Sequence, residues 1–253
     1  MFDKRLIIQD FNKAAGDYDS HSYLQKKVAK RLLFKAENCF KDNDKILDIG
    51  SGTGYLSRES GERWQVKQID MSISMCEVAA SYAPVVNGDM DYLPFKNHCF
   101  DGAFSSLVLQ WSNNLNETFL EVFRILKNNG VLLFSILGKH SLKEMKSVFG
   151  DVGRNNSLNS FHNLETLETE LKRAGFSNIK YESKEVVFYY SDAIELMKSI
   201  KSIGAGNKLE GRRKSFGKKL LSDIKNKYEE EFGIEDDIPA TWEVLYFSCK
   251  RKG

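Results

Sequence analysis

At 253 residues, with 42% hydrophobic and 28% charged side chains, the chain has the makeup of a globular protein able to bury its own core. Its 37 basic and 35 acidic residues leave a formal charge of +2, too balanced for a general nucleic-acid binder. No run approaches the ~18 apolar residues of a membrane span, and the first residues mix acid with base, unlike a signal peptide. Cys39, Cys76, Cys99 and Cys249 lie far apart without Cys-x-x-Cys spacing, so neither a zinc knuckle nor a redox motif is written here, and reduced thiols in a cytoplasmic protein are expected.

In chain order, residues 4–38 predict two helices ahead of a sheet. Phe11, Ala14, Ala15 and Tyr18 recur at i, i+3, i+4 and i+7, and Leu24, Val28, Leu32 and Ala36 repeat every four. Between them lies the polar, aromatic joint Tyr18-Asp19-Ser20-His21. Residues 45–54, Lys-Ile-Leu-Asp-Ile-Gly-Ser-Gly-Thr-Gly, read as a strand carrying Asp48, a tight turn through Gly50, Ser51, Gly52 and Gly54, and a helix start. Glycines there let the backbone turn with positive φ or approach a polar ligand closely. The Gly-x-Gly-x-Gly spacing is not that of dinucleotide folds, which speaks against a nicotinamide dehydrogenase. A second apolar stretch from Val66 ends at Asp70, about 20 residues past the first glycine, where a carboxylate meets ribose hydroxyls. A third ends in Asp89-Met90, a carboxylate for an exocyclic amine and a thioether for a ring face, which suits an adenine.

Helices from Tyr55 and over 73–82 separate these strands. A strand over 100–107, a helix over 116–127 closed by Asn129-Gly130, and a strand over 131–137 follow. Such alternation implies a parallel sheet with helices on both faces. Ligands of such a sheet sit at the carboxyl ends of its strands, where Gly50, Asp70, Asp89 and Ser105 fall. Beyond Leu137 come helical stretches over 141–149 and 164–174 and a β-rich run over 179–190. Asp192 with Glu195 then forms a capping-box-like helix start. Lys198, Lys201, Lys208, Arg212, Arg213, Lys214, Lys218, Lys219, Lys225 and Lys227 follow, opposed by only Glu210 and Asp223. A last strand over 241–249 is expected to pair back beside 179–190. Residues 191–238 are thus a helical lid and docking insertion on a core formed by 1–190 plus 239–253. His21, His98, His140 and His162 are scattered, and no metal site is expected.

Three strand ends offering partners to one nucleoside resemble the S-adenosylmethionine (SAM) site of class I methyltransferases. The resemblance implies a Rossmann-like α/β fold: a mostly parallel seven-stranded sheet, an N-terminal helical cover and a helical lid before the last strand. It assigns Asp48, Gly50, Gly52 and Gly54 to the methionine end, Asp70 to the ribose, Asp89 and Met90 to the adenine, and Ser51, Met71 and Ser105 to the same cofactor site. The segment Phe11-Asn12-Lys13-Ala14-Ala15-Gly16-Asp17-Tyr18-Asp19 is similar to one that folds over bound SAM in this class, which brings in Phe11 and Tyr18. Methyltransferases acting on bases or amide nitrogens carry Asn-Pro-Pro-Tyr or a relative where this chain has Ser105-Ser106-Leu107, so a nucleic-acid substrate is disfavoured. Gln110-Trp111 stands where a small-molecule pocket is walled.

The string Lys198-Ser199-Ile200-Lys201-Ser202-Ile203-Gly204-Ala205, with Gly211-Arg212 and Ile238-Pro239-Ala240-Thr241, resembles the malonyl-acyl carrier protein O-methyltransferases of biotin synthesis. This implies transfer of the SAM methyl to the free carboxylate of a malonyl thioester, on carrier protein or on coenzyme A, with S-adenosylhomocysteine as the other product and no metal. Tyr18 is then expected to orient the reacting groups and Trp111 to wall the pocket, while Lys198, Lys201, Arg212, Arg213 and Lys214 would meet an acidic carrier protein. No nucleic-acid or membrane partner is implied. The rival expectations are another small-molecule SAM methyltransferase, acting on a free carboxylate or a quinone-type ring, and a catalytically silent scaffold that only docks.

Overall fold

A computed structural model describes residues 2–153, 161–203 and 217–253. Strand β1, Lys45–Ile49, is the hydrophobic axis: every residue after Lys45 is buried, because helices cover both faces of the sheet around it. Successive side chains alternate between those faces. Ile46 joins Val28, Leu32 and Phe104 on one side, and Leu47 and Ile49 join Ile69, Phe119 and Phe134 on the other. The remaining strands are β2 (Gln65–Asp70), β3 (Val85–Asn87), β4 (Phe100–Ser106), β5 (Leu126–Leu137), β6 (Phe176–Tyr190) and β7 (Ile238–Arg251), in the order β3-β2-β1-β4-β5-β7-β6. The first five in that order run parallel, and β7 is antiparallel to both of its neighbours. This is the seven-stranded, mostly parallel sheet that the alternation and the resemblance implied.

Since β7 opposes both β5 and β6, the end of β6 at Tyr190 emerges on the same side as the carboxyl ends of the parallel strands. The chain inserted there comprises α9 (Ala193–Ser202) and α10 (Lys218–Phe232). The other helices are α1 (Lys4–Ala14), α2 (Tyr18–His21), α3 (Tyr23–Ala36), α4 (Tyr55–Ser60), α5 (Ile73–Ala79), α6 (Leu115–Ile125), α7 (Lys143–Asp151) and α8 (Leu164–Arg173). Among the described residues no helix is long and apolar enough to cross a membrane, and no group of His, Cys, Asp and Glu is placed to hold a metal ion.

Two local expectations change. The N-terminal cover has three pieces where two helices were expected: α1 stops at Ala14, the chain turns through Gly16 and Asp17, and Tyr18 opens the separate short α2. Helix α6 stops at Ile125 and does not run to Lys127. Leu126 is already extended and pairs with Phe100, and the pairing resumes only at Gly102 with Val131. Asn129, in the left-handed region at φ 64°, thus sits in a bulge of the strand, and Asn129-Gly130 does not cap the helix.

Candidate active site

The carboxyl ends of β1, β2 and β4 and the helices α1 to α3 laid over them enclose a cavity. Its wall includes Phe11, Tyr18, Asp48, Gly50, Ser51, Gly52, Asp70, Met71, Met90 and Trp111, all read as site residues from sequence. The turn after β1 is shaped by backbone. Gly50 has φ +69°, and a Cβ there would lie 2.3 Å from Val108 Cγ1. Val108 is pressed onto the turn because Leu107 itself adopts φ 54°, uncommon for a bulky side chain, and its N–H is held by Ser135. Gly52 has φ +55° with open space where a Cβ would be, so the wall stays low at that point.

Asp48 is 1% exposed. One carboxylate oxygen accepts a long 3.5 Å bond from the Ser57 hydroxyl, and the other has no partner. Burial first, and then the nearby charge of Asp70, push its carboxyl well above the ordinary range, with the Ser57 hydroxyl pulling weakly the other way. The Ser51 hydroxyl is also buried and unpartnered. Orphaned buried polar atoms of this kind cost about 1–3 kcal/mol each unless something satisfies them. Asp70, at the end of β2, accepts the N–H groups of Gly52 at 2.9 Å and Ser72 at 2.8 Å. Burial still holds its carboxyl above the usual value.

The cover is tied across the cavity from several directions. Asn12 accepts from the Ser72 hydroxyl at 2.6 Å and the Ser74 N–H at 3.3 Å. Asp19 accepts from Thr53 at 2.7 Å and Arg58 at 3.1 Å. Phe11 meets Trp111 edge-on, ring centroids 6.1 Å apart. The Tyr18 phenol has no hydrogen-bond partner among the described residues, and burial, then the charges of Asp70 and Asp19, raise its pKa, keeping it a neutral donor.

Several expected residues are elsewhere. Asp89 is not in the cavity wall, although its neighbours Gly88 and Met90 are: its carboxylate is turned to Lys4 of α1, at 2.5 Å, and the same ammonium reaches Asp91 at 2.6 Å. Ser105 is fully buried, its hydroxyl donating to the Ile49 carbonyl at 2.9 Å, which braces β4 to β1; Ser106 lines the cavity in its place. Gly54 caps α4 at φ 80°, outside the lining. Lys198 and Lys201 are exposed on α9, away from the wall, while Lys208, Arg212, Arg213 and Lys214 lie outside the described residues. The late basic run is also less free than its composition suggested. Lys225 pairs with Asp192 and Glu229, and Lys227 with Asp151 and Glu231.

Sequence reasoning missed the start of α3 as part of the wall. Gln25 lines the cavity with a buried carbonyl oxygen lacking a partner. Lys26 beside it is the one ammonium among the described lining residues. It donates to the Asp19 carbonyl at 2.5 Å, stands 6.0 Å over the Tyr55 ring, and has no carboxylate partner among the described residues. No motif announces this pair; the available signal was that a cation on the pocket side of a cover helix needs an anion.

Residues 47–134 match the family described as Methyltransferase domain. The phosphoethanolamine N-methyltransferase 2 of Haemonchus contortus, solved in complex with S-adenosyl-L-methionine, superposes with a TM-score of 0.57 at 19% identity, covering 88% of this chain and 53% of that one. With the strand order above, these give the protein the fold of a class I methyltransferase. The Malonyl-[acyl-carrier protein] O-methyltransferase of Gallionella capsiferriformans is 32% identical over 97% of this chain and 90% of its own length. The Biotin biosynthesis bifunctional protein BioHC of Teredinibacter turnerae is 31% identical over 98% of this chain and 47% of its own length. The chain belongs to the malonyl-[acyl-carrier protein] O-methyltransferase family.

Proposed function

We propose that the protein methylates the free carboxylate of a malonyl thioester borne on an acyl carrier protein, with SAM as donor, giving the methyl ester that starts the pimeloyl chain of biotin. Family membership supports the substrate, and the charge pattern of the cavity carries the donor. Among the described lining residues Asp19, Asp48 and Asp70 face it with a single ammonium, Lys26. That set fits a ligand with cationic groups, a ribose diol and one carboxylate. Asp48, with an unpartnered oxygen, would take the ammonium of the methionyl end. Asp70 would take the ribose, Met71 and Met90 would pack on the base, and Lys26 with Gln25 would hold a carboxylate. When bound, SAM supplies an electrophilic methyl, whose transfer to a carboxylate oxygen leaves S-adenosylhomocysteine and a methyl ester.

The residues around the reacting carboxylate have little proton chemistry to do. A carboxylic acid ordinarily titrates near pH ~4 and is ionised at neutral pH, so no general base is required. Tyr18, kept protonated, donates a hydrogen bond to an anion and orients it. Phe11 and Trp111 exclude water, which strengthens that bond and fixes the approach. No residue here requires a metal. Residues 191–238 would act as lid and docking insertion, with Lys198, Lys201, Arg212, Arg213 and Lys214 meeting the acidic carrier in the cytoplasm, and no nucleic acid or membrane would take part.

The test is competition: methyl-labelled SAM offered together with malonyl-carrier protein, malonyl-coenzyme A and free malonate. Label should enter the carrier fraction as a base-labile ester. Preferential labelling of free acids would return the protein to the wider class of small-molecule methyltransferases.

A further inference from the structure

Helix α3 carries Lys26, Lys27, Lys30, Arg31 and Lys35 over Tyr23–Ala36 and no acidic residue. In a chain whose charges otherwise balance, this is unusual, because like charges four apart on a helix repel one another. Some of these cations have tasks. Arg31 and Lys35 both grip Glu182 of β6, at 2.5 and 2.6 Å, and with Lys35 first they draw its carboxyl down to about 2. Lys26 faces the cavity. Lys27 has only the Phe188 ring, 5.7 Å away, and Lys30 has no partner among the described residues.

Tyr23, Lys27, Lys30 and Phe34 fall at i, i+4, i+7 and i+11, one stripe of the helix, and all are exposed, the two aromatics at 69% each. Rings left in water at both ends of a cationic strip leave apolar area that the fold does not use. Exposed aromatics are what protein interfaces bury at their centres. The stripe also has neighbours of the same sign. The ring under Lys27 belongs to β6 just before Tyr190, where the chain passes into α9 with its exposed Lys198 and Lys201, and α2 packs on α9. The opposite side of α3 supplies Gln25, Lys26 and Ala29 to the cavity wall. A partner on the stripe is therefore one helix diameter, about 10 Å, from the pocket.

We infer that the Tyr23, Lys27, Lys30 and Phe34 stripe of α3 docks an acidic carrier protein and sets the entry of its thioester arm. This rests on the substrate reading above and adds the face on which the carrier sits. The cations match the carrier's acidic surface, and the rings offer apolar contact that a free polyanion would not use. Steering by such charges acts on encounter and weakens with salt.

The test compares the wild type with K27E/K30E and with Y23A/F34A, using malonyl-carrier protein and malonyl-pantetheine, the same thioester without a carrier, at low and high ionic strength. SAM affinity and melting temperature are measured alongside. K27E/K30E is expected to raise KM for the carrier-bound substrate about tenfold and to flatten its salt dependence. It should leave kcat, SAM affinity and the KM for malonyl-pantetheine unchanged, with Y23A/F34A acting in the same direction. An unchanged carrier KM in both variants overturns the docking surface while the carrier reading stands, and so does an equal loss on both substrates. A wild type that methylates malonyl-pantetheine but never the carrier-bound thioester removes the reading and the surface together.

Discussion

Burial makes the ligand-free fold favour the protonated form of Asp48. Its folded carboxyl titrates above the unfolded one, so its contribution to stability is full below the ordinary carboxylate range and fades as pH rises through the raised value. Asp48→Asn, permanently neutral, should therefore raise the Tm of the ligand-free protein at pH 7, lose that advantage below about pH 4, and show no further rise on adding SAM. A Tm lower than wild type at pH 7 would mean that the carboxylate supports the fold. Lys26→Met should weaken SAM about tenfold in titration calorimetry, with Lys26→Arg recovering most of the affinity; unchanged binding would take the carboxylate role away from it. The residues that the sequence placed at the candidate cavity by backbone position, and that do line it, include Asp48, Gly50, Gly52, Asp70 and Met90. Strand-end position does not say who claims a side chain. Asp89 went to Lys4, 85 residues away, and the Ser105 hydroxyl to the Ile49 carbonyl.

Among the elements, the cover is the part whose position matters most for turnover. Asn12 anchors α1 to the start of α5 through Ser72 and Ser74. Removing its carbonyl in Asn12→Ala should cost the closed state about 1 kcal/mol. Stopped-flow fluorescence of Trp111, which lines the cavity, should show SAM leaving about fivefold faster, and an unchanged rate would mean that α1 does not gate the site. The helix at 193–202 was readable to its cap: Asp192 accepts the Glu195 N–H at 2.7 Å and Glu195 reaches back to the Ser191 N–H. The end of α6 was not, because Leu126 has high helix propensity and leaves the helix only to pair with Phe100, and local pattern does not show which residues of two strands pair.

At the scale of the whole molecule, the sheet order puts every cavity-facing turn at one edge of the parallel strands, and the antiparallel β7 returns the late insertion to that same edge. The parallel sheet followed from the alternation of strands and helices and the place of the insertion from pairing the last strand beside 179–190, while the strand order did not. The distribution of charge did not either, since tertiary pairs silence Lys225 and Lys227 while Lys30 on α3 has no ion-pair partner among the described residues. Donor site, carboxylate substrate and carrier are tested together by one measurement, the intact mass of malonyl-carrier protein after incubation with enzyme and SAM, with acetyl-carrier protein alongside. The malonyl species should gain the mass of a single methyl, and the acetyl species, which has no free carboxylate, should gain none. Methylation of both carriers, or of neither while SAM still binds, would contradict it.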